Sequence, residues 1–299
     1  NTRIISRTES DDFLNWSPKI TVLRRTKIDE PMETQFYQMA PFPYAGHYFG
    51  LVAAYHRETL KPLTEDAPWT DRKNLQLVYS RNGVTWSRVA KHGAIPTREL
   101  SIERDWAPIA KEAAFLPYGE KDRDWDWGTV SPYFTPQPII VGDEIWFYYM
   151  AQNGRNWWNY SGDPPKLDPN AKEPELAVGL ATLRLDGFVS IDAGAEAGTL
   201  LTKPFVFLGD TLEINANAAG GSLVVEALDA EGKPIDGFSA ADFTPISTDS
   251  VRHVATWKGQ PDSHLLQGRP IRLRFQLKNA KLYSFEPRIL RNHYLQSYD

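Results

Sequence analysis

Between Pro270 and Lys278 the chain alternates. Ile271, Leu273, Phe275 and Leu277 are apolar, and Arg272, Arg274, Gln276 and Lys278 are polar. Leu223, Val225 and Ala227 keep the same spacing among Val224, Glu226 and Leu228. A period of two repeated over several runs predicts an antiparallel sheet with one buried face. The run VRHVATW and the turn EGKP complete a small β-sandwich over 203–290. Helical periodicity is scarce anywhere in the chain.

The first two-thirds of the chain are patterned differently. Ser10-Asp11-Asp12-Phe13-Leu14-Asn15-Trp16 matches Ser80-Arg81-Asn82-Gly83-Val84-Thr85-Trp86, with Ser and Trp equally spaced in both. A looser third copy is Arg184-Leu185-Asp186-Gly187-Phe188-Val189-Ser190. Each follows a β-rich run, and Asn, Asp and Gly tolerate the positive φ that tight turns need. Extended backwards, FYQMAPFPY, AGH and YFGLVAAYH precede the second copy, while TVSPYFTPQPIIV, GDE and IWFYYMAQ precede the third.

One unit therefore reads strand, turn, strand, loop, strand, hairpin, strand. Four antiparallel strands per unit predict β-propeller blades, near 33–98 and 125–200, with half of another at 3–25. A plain β-sandwich with coincidental turns is the competing arrangement; the strand order shared by two full units favours the propeller. A propeller closes with ~4–8 blades, so further blades are expected upstream of Asn1 or from a partner chain. The expected organisation is all-β: propeller blades over 1–202, then a β-sandwich and tail over 203–299.

Composition narrows the function. The 299 residues carry a net charge of −5 with no basic run, which disfavours nucleic-acid binding. No apolar segment approaches the ~20 residues of a membrane-crossing helix. With no cysteine, thiolate metal sites and cysteine nucleophiles are excluded. The motifs GxSxG, HExxH and GxGxxG are absent, and the histidines are too scattered for a metal cluster. No cofactor is expected. A structural Ca²⁺ on carboxylates and carbonyls stays open, although no acidic calcium loop is written.

The chain has thirteen Tyr and ten Trp, more Trp than a core alone usually needs. In a propeller, inner-strand starts and second-strand ends share one face. That face would collect Glu33, Gln35 and Tyr37 with Asp124 and Asp126, and Tyr55 and His56 with Tyr149, Gln152, Asn153 and Arg155. The loop carrying Trp157 leaves from the same place. Glycoside hydrolysis needs two carboxyl groups flanking the scissile bond. Asp126, between Trp125 and Trp127 at the head of an apolar strand, and Glu33 are the candidate pair. Candidate sugar contacts are Tyr55, His56, Trp127, Gln152, Asn153, Arg155 and Trp157. Retention or inversion follows from the carboxyl separation, ~5 Å against ~6.5–9.5 Å.

The stretches LVYSRNGVTWSR, WDWGTVSPYFTPQPIIVGDEIWFYYM, LAVGLATLRLDGFVSIDAG and GGSLVVEALDAEGKPIDGFSAADFTPISTDS resemble bacterial glycosyl-hydrolase-like proteins related to glycoside hydrolase families 32, 43 and 68. The resemblance implies a five-bladed propeller followed by a β-sandwich. It also implies three acids on successive inner strands: a base or nucleophile, a transition-state stabiliser and a general acid. Glu33 and Asp126 stand at such starts, while the first-blade acid has no counterpart. The Trp-Asn-Asp-Pro and Arg-Asp-Pro signatures of family 32 are absent.

An oligosaccharide or polysaccharide substrate is implied, with residence in the periplasm or outside the cell. The competing expectations are a non-catalytic glycan-binding or assembly protein, and one half of a split propeller.

Overall fold

The computed structural model describes residues 3–24, 33–57, 72–89, 114–121, 123–132, 137–154, 156, 160–161, 166–167, 169–170 and 172–289, and not the side chains of Glu33, His56, Arg57, Tyr160, Ser161 and Lys166. These residues are almost entirely β. They fall into two compact units, 1–139 with 146–182, and 140–145 with 183–299.

The strands of the N-terminal part are β1 (Ile5–Arg7), β2 (Ile20–Leu23), β3 (Glu33–Tyr44), β4 (His47–Arg57), β5 (Arg72–Ser80), β6 (Ser87–Arg88), β7 (Thr129–Ser131), β8 (Ile139–Val141), β9 (Glu144–Gln152), β10 (Tyr160–Ser161), β11 (Lys166–Leu167) and β12 (Leu176–Arg184). The β3–β4 hairpin turns on Ala45 and Gly46, both at positive φ (47° and 74°). That pairing of conformations matches the twist of the flanking strands.

One sheet runs β12-β9-β7-β5-β4-β3, with β6 on β5 and β8 on β9. The blades expected near 33–98 and 125–200 are thus joined, because β5 pairs β7 in parallel through Lys73 and Thr129. The reason lies in the edge of β5. The two-residue β6 covers only Val78 and Tyr79. Leu116 bridges Leu75 farther along that edge, and β7 takes its start at Lys73. Among the described residues no sheet closes on itself. Placed centrally, β5 is buried almost throughout, polar residues included.

The paired sequence motifs form the same turn. Asp12 Oδ1 accepts from the amides of Leu14 and Asn15 at 2.8 and 2.7 Å, and Asn82 Oδ1 accepts from Val84 and Thr85 at 3.0 and 2.8 Å. Trp16 Nε1 donates to the Phe13 carbonyl, as Trp86 Nε1 does to that of Gly83. The amide of Asn15, then its side chain and the Leu14 amide, hold the Asp12 carboxyl far below the usual range. Trp86 packs on Leu23, Phe36, Val52, Ala54 and Val78. Replacing Asn82 by alanine leaves two turn amides without their acceptor. The expected cost is about 1 kcal/mol, read as a lower urea midpoint at unchanged m-value. The third copy differs: Asp186 sits at φ 55° and accepts from Ser284 Oγ at 2.8 Å.

The C-terminal unit is a sandwich. Its strands are β13 (Ile191–Ala193), β14 (Gly198–Leu201), β15 (Phe205–Val206), β16 (Thr211–Asn217), β17 (Ser222–Asp229), β18 (Asp249–Val254), β19 (Pro270–Lys278) and β20 (Ala280–Arg288). One sheet runs β13-β20-β16-β18; the other runs β14-β19-β15, with β17 also on β19. The alternating apolar positions meet in one core. Leu223, Val225 and Ala227 join Ile271, Leu273, Phe275 and Leu277 there, opposite Leu212, Ile214 and Ala216. Away from that core, Arg274 of β19 pairs with the buried Glu226 directly across on β17, at 2.6 Å.

Candidate active site

The strands of the N-terminal sheet begin and end so that one rim collects polar residues. Five strands share a row across it: Gln35 pairs Tyr55, Tyr55 pairs Lys73, Lys73 pairs Thr129, and Thr129 pairs Gln152. One step along, Thr34, His56 and Arg72 form a second row. Side chains paired in register project to the same face. The rim is thus where the expected candidates from β3, β4, β7 and β9 come together.

Tyr55 is buried at 2% exposure, its ring tilted against Tyr37 at 5.0 Å. The guanidinium of Arg3 lies 4.3 Å from the centre of the same Tyr37 ring, and the Lys73 ammonium 5.0 Å from it. Arg3 Nη1 also donates to Gln35 Oε1 at 2.6 Å. Arg72, at 3% exposure, lies 4.9 Å from the ring centres of both Tyr118 and Trp127. Such a cage stabilises a buried cation through ring quadrupoles. Burial pushes the Tyr118 hydroxyl up, partly opposed by Arg72.

Asp126 lies just before β7, half-buried. Its Oδ2 accepts the Tyr149 hydroxyl proton at 2.9 Å. Burial first, and then this bond, pushes the Tyr149 phenol well above the tyrosine range, so it acts as a donor. Trp125 stacks on Tyr149 with ring centres 5.8 Å apart and planes 19° apart. Asp126 Oδ1 and the Asp124 side chain both crowd the point where Gly119 would carry a Cβ. Asp124 is bound by Arg123 at 2.9 Å and by the Glu120 amide at 2.8 Å; Arg123 foremost holds its carboxyl low.

The amides beside this carboxylate are partly engaged. Gln152 Nε2 donates to the Gly154 carbonyl at 3.1 Å, and Asn153 Oδ1 accepts from the Glu175 amide at 2.7 Å. The half-buried Trp127 ring lies over the Arg72 guanidinium. Glu33 and His56 sit in register on the rim, pairing Arg57 and Thr34. Their side chains lie outside the described residues, as do Arg155 and Trp157 entirely.

Sequence reasoning left out Trp125, Arg72 and Tyr118. Trp125 had the same signal as Trp127, adjacency to Asp126. Nothing local marked the Arg72 cage. Among the described residues no three His, Asp or Glu side chains gather as metal ligands, and no helix is long and apolar enough to cross a membrane.

No family model matches the chain, and no curated protein matches it. Two solved structures are weak neighbours. One is a mutant Bombyx mori GH32 beta-fructofuranosidase in complex with sucrose, at 11% identity and a TM-score of 0.27, over 95% of this chain and 73% of that one. The other is the Bombyx mori GH32 beta-fructofuranosidase, at 10% identity and a TM-score of 0.22, over 96% and 77%. The likeness is distant, and no residue role carries across from it.

Proposed function

We propose that this chain is a carbohydrate-active protein that hydrolyses glycosidic bonds at the rim of its N-terminal sheet. In this reading residues 1–202 are propeller blades of the five-bladed type found in families 32, 43 and 68, and 203–299 are a β-sandwich module. Asp126 and Glu33 are the carboxylate pair. His56, Gln152, Asn153, Arg155 and Trp157 are the sugar contacts of this reading, while Tyr55 is buried and Trp127 lies over Arg72 behind them, and the protein works in the periplasm or outside the cell.

One observation carries the reading. Asp126 sits half-buried on an aromatic and amide-lined rim, its carboxylate held by the Tyr149 hydroxyl beside a stacked tryptophan. A carboxylate, aromatic faces and amides are the groups that glycoside chemistry needs. A second reading, glycan binding without turnover, is favoured by a specific feature: Asp124, which crowds the same point at Gly119 as Asp126, is already bound by Arg123.

The test is to incubate the protein with sucrose and with fructo-, arabino- and xylo-oligosaccharides, following released sugar by chromatography and binding by calorimetry. Release of product supports the hydrolase. Binding without release supports the second reading. Neither binding nor release with any sugar would end both.

A further inference from the structure

We propose that Trp125, not Trp127, is the stacking platform of this site, and that it takes a neutral saccharide ring whose hydroxyls are accepted by Asp126. The proposal rests on the carbohydrate reading above and adds the contact residue and the charge class of the ligand.

The two tryptophans flanking Asp126 have different surroundings. Trp127 has its ring over the Arg72 guanidinium. Trp125 rests one face on Tyr149 and is 41% exposed. Exposure alone would not distinguish it, because single exposed aromatics are common. The construction beneath it does. Gly179 of β12 lies under the ring pair: a Cβ there would fall 2.5 Å from Tyr149 Cζ and 2.8 Å from Trp125 Cζ2. A glycine inside a strand costs stability and marks a close approach. Here it leaves room for both rings of the stack beside the strand.

The platform and the carboxylate are one assembly, since the ring under Trp125 donates its hydroxyl to Asp126 Oδ2. A carboxylate offers about four lone-pair sites, and this bond uses one. A flat apolar face beside an acceptor suits a sugar ring, which has a C–H face and a hydroxyl rim. The charges select against other flat ligands. Asp126 is bonded to a neutral hydroxyl while Asp124 is paired with Arg123, so it is the Asp126 charge that repels uronates, sulfated sugars and nucleotides.

The experiment is calorimetric titration of the full chain with neutral arabino-, xylo- and fructo-oligosaccharides and with oligogalacturonates. It is run on the wild type and on Trp125→Ala, Trp125→Phe and Gly179→Ala, with thermal melting of each variant. At least one neutral sugar should bind the wild type. Trp125→Ala should weaken it about tenfold or more at an unchanged melting temperature. Trp125→Phe should restore most of the affinity. Gly179→Ala should weaken binding without removing any contacting atom. Wild-type affinity in Trp125→Ala overturns the platform and leaves the carbohydrate reading intact. Preference for oligogalacturonates overturns the neutral class. No binding of any sugar to the wild type overturns platform and reading together.

Discussion

Gly128→Ala is expected to destabilise the N-terminal unit by more than about 4 kcal/mol, in the exceptional range for one substitution. The methyl group would land on the Gly154 backbone, in hard contact with its carbonyl and 2.6 Å from its nitrogen. A side chain in that position could rotate away; a peptide group cannot. Gly154 has no room to retreat, because it is itself packed against Pro174, whose Cβ would lie 2.7 Å from a Cβ added there. Gly128 must also stay in place, since its amide donates to the Gln152 carbonyl at 3.1 Å. Losing that bond would release the Thr129–Gln152 pair, the last link in the five-strand row. Gly46→Ala is the control. It sits at φ 74° with nothing within 4 Å of an added Cβ, so only left-handed strain applies, about 1–2 kcal/mol. Urea unfolding of the two variants should separate them clearly. A wild-type midpoint for Gly128→Ala would mean that the ends of β7 and β9 are not packed as described.

Much of this architecture was written in local sequence. The alternation from Ile271 to Leu277 became a strand with those side chains in the core, because one buried face needs only a period of two. The turn at Ala45 and Gly46 and the twin turns at Asp12 and Asn82 were also legible, since their hydrogen bonds close within a few residues. The sheet order was not. The edge of β5 is shared by β6 at Val78 and Tyr79, Leu116 at Leu75 and β7 at Lys73, segments far apart in the chain. The third copy is also a turn, with Asp186 at positive φ, but its side-chain partner was not legible: Asp186 answers to Ser284, 98 residues on.

The site was half legible on the same grounds. Asp126 stood out because two tryptophans flank it. That Trp127 meets Arg72 of β5 and Trp125 lies beside Gly179 of β12 is set by strands to which nothing near Asp126 in the sequence points. The row of rim residues was readable in outline, because strand starts and strand ends alternate along any antiparallel meander. That Tyr55 lies buried against Tyr37 is a product of tertiary packing.

Asp126→Asn is expected to lower kcat/KM for a hydrolysed saccharide by about 10²–10⁴-fold, the usual contribution of a positioned acid or base, while neutral-sugar binding changes little. The substitution separates charge from shape. Asparagine's carbonyl can still accept the Tyr149 hydroxyl that now reaches Asp126 Oδ2 at 2.9 Å, so the Trp125–Tyr149 stack keeps its anchor. The amide cannot take up or release the proton that cleavage requires. Tyr149→Phe is the complementary variant. It removes the donor and leaves the stacked ring, and the phenol is no acid in its own right, because burial and Asp126 hold it protonated. Its turnover should therefore fall far less than that of Asp126→Asn. Equal, deep losses in both would make Tyr149 part of the chemistry rather than a support for the carboxylate. Full turnover in Asp126→Asn would remove the carboxylate from catalysis and leave Asp126 as a hydroxyl acceptor in a binding site, since an amide carbonyl can accept as a carboxylate does but cannot act as an acid or base.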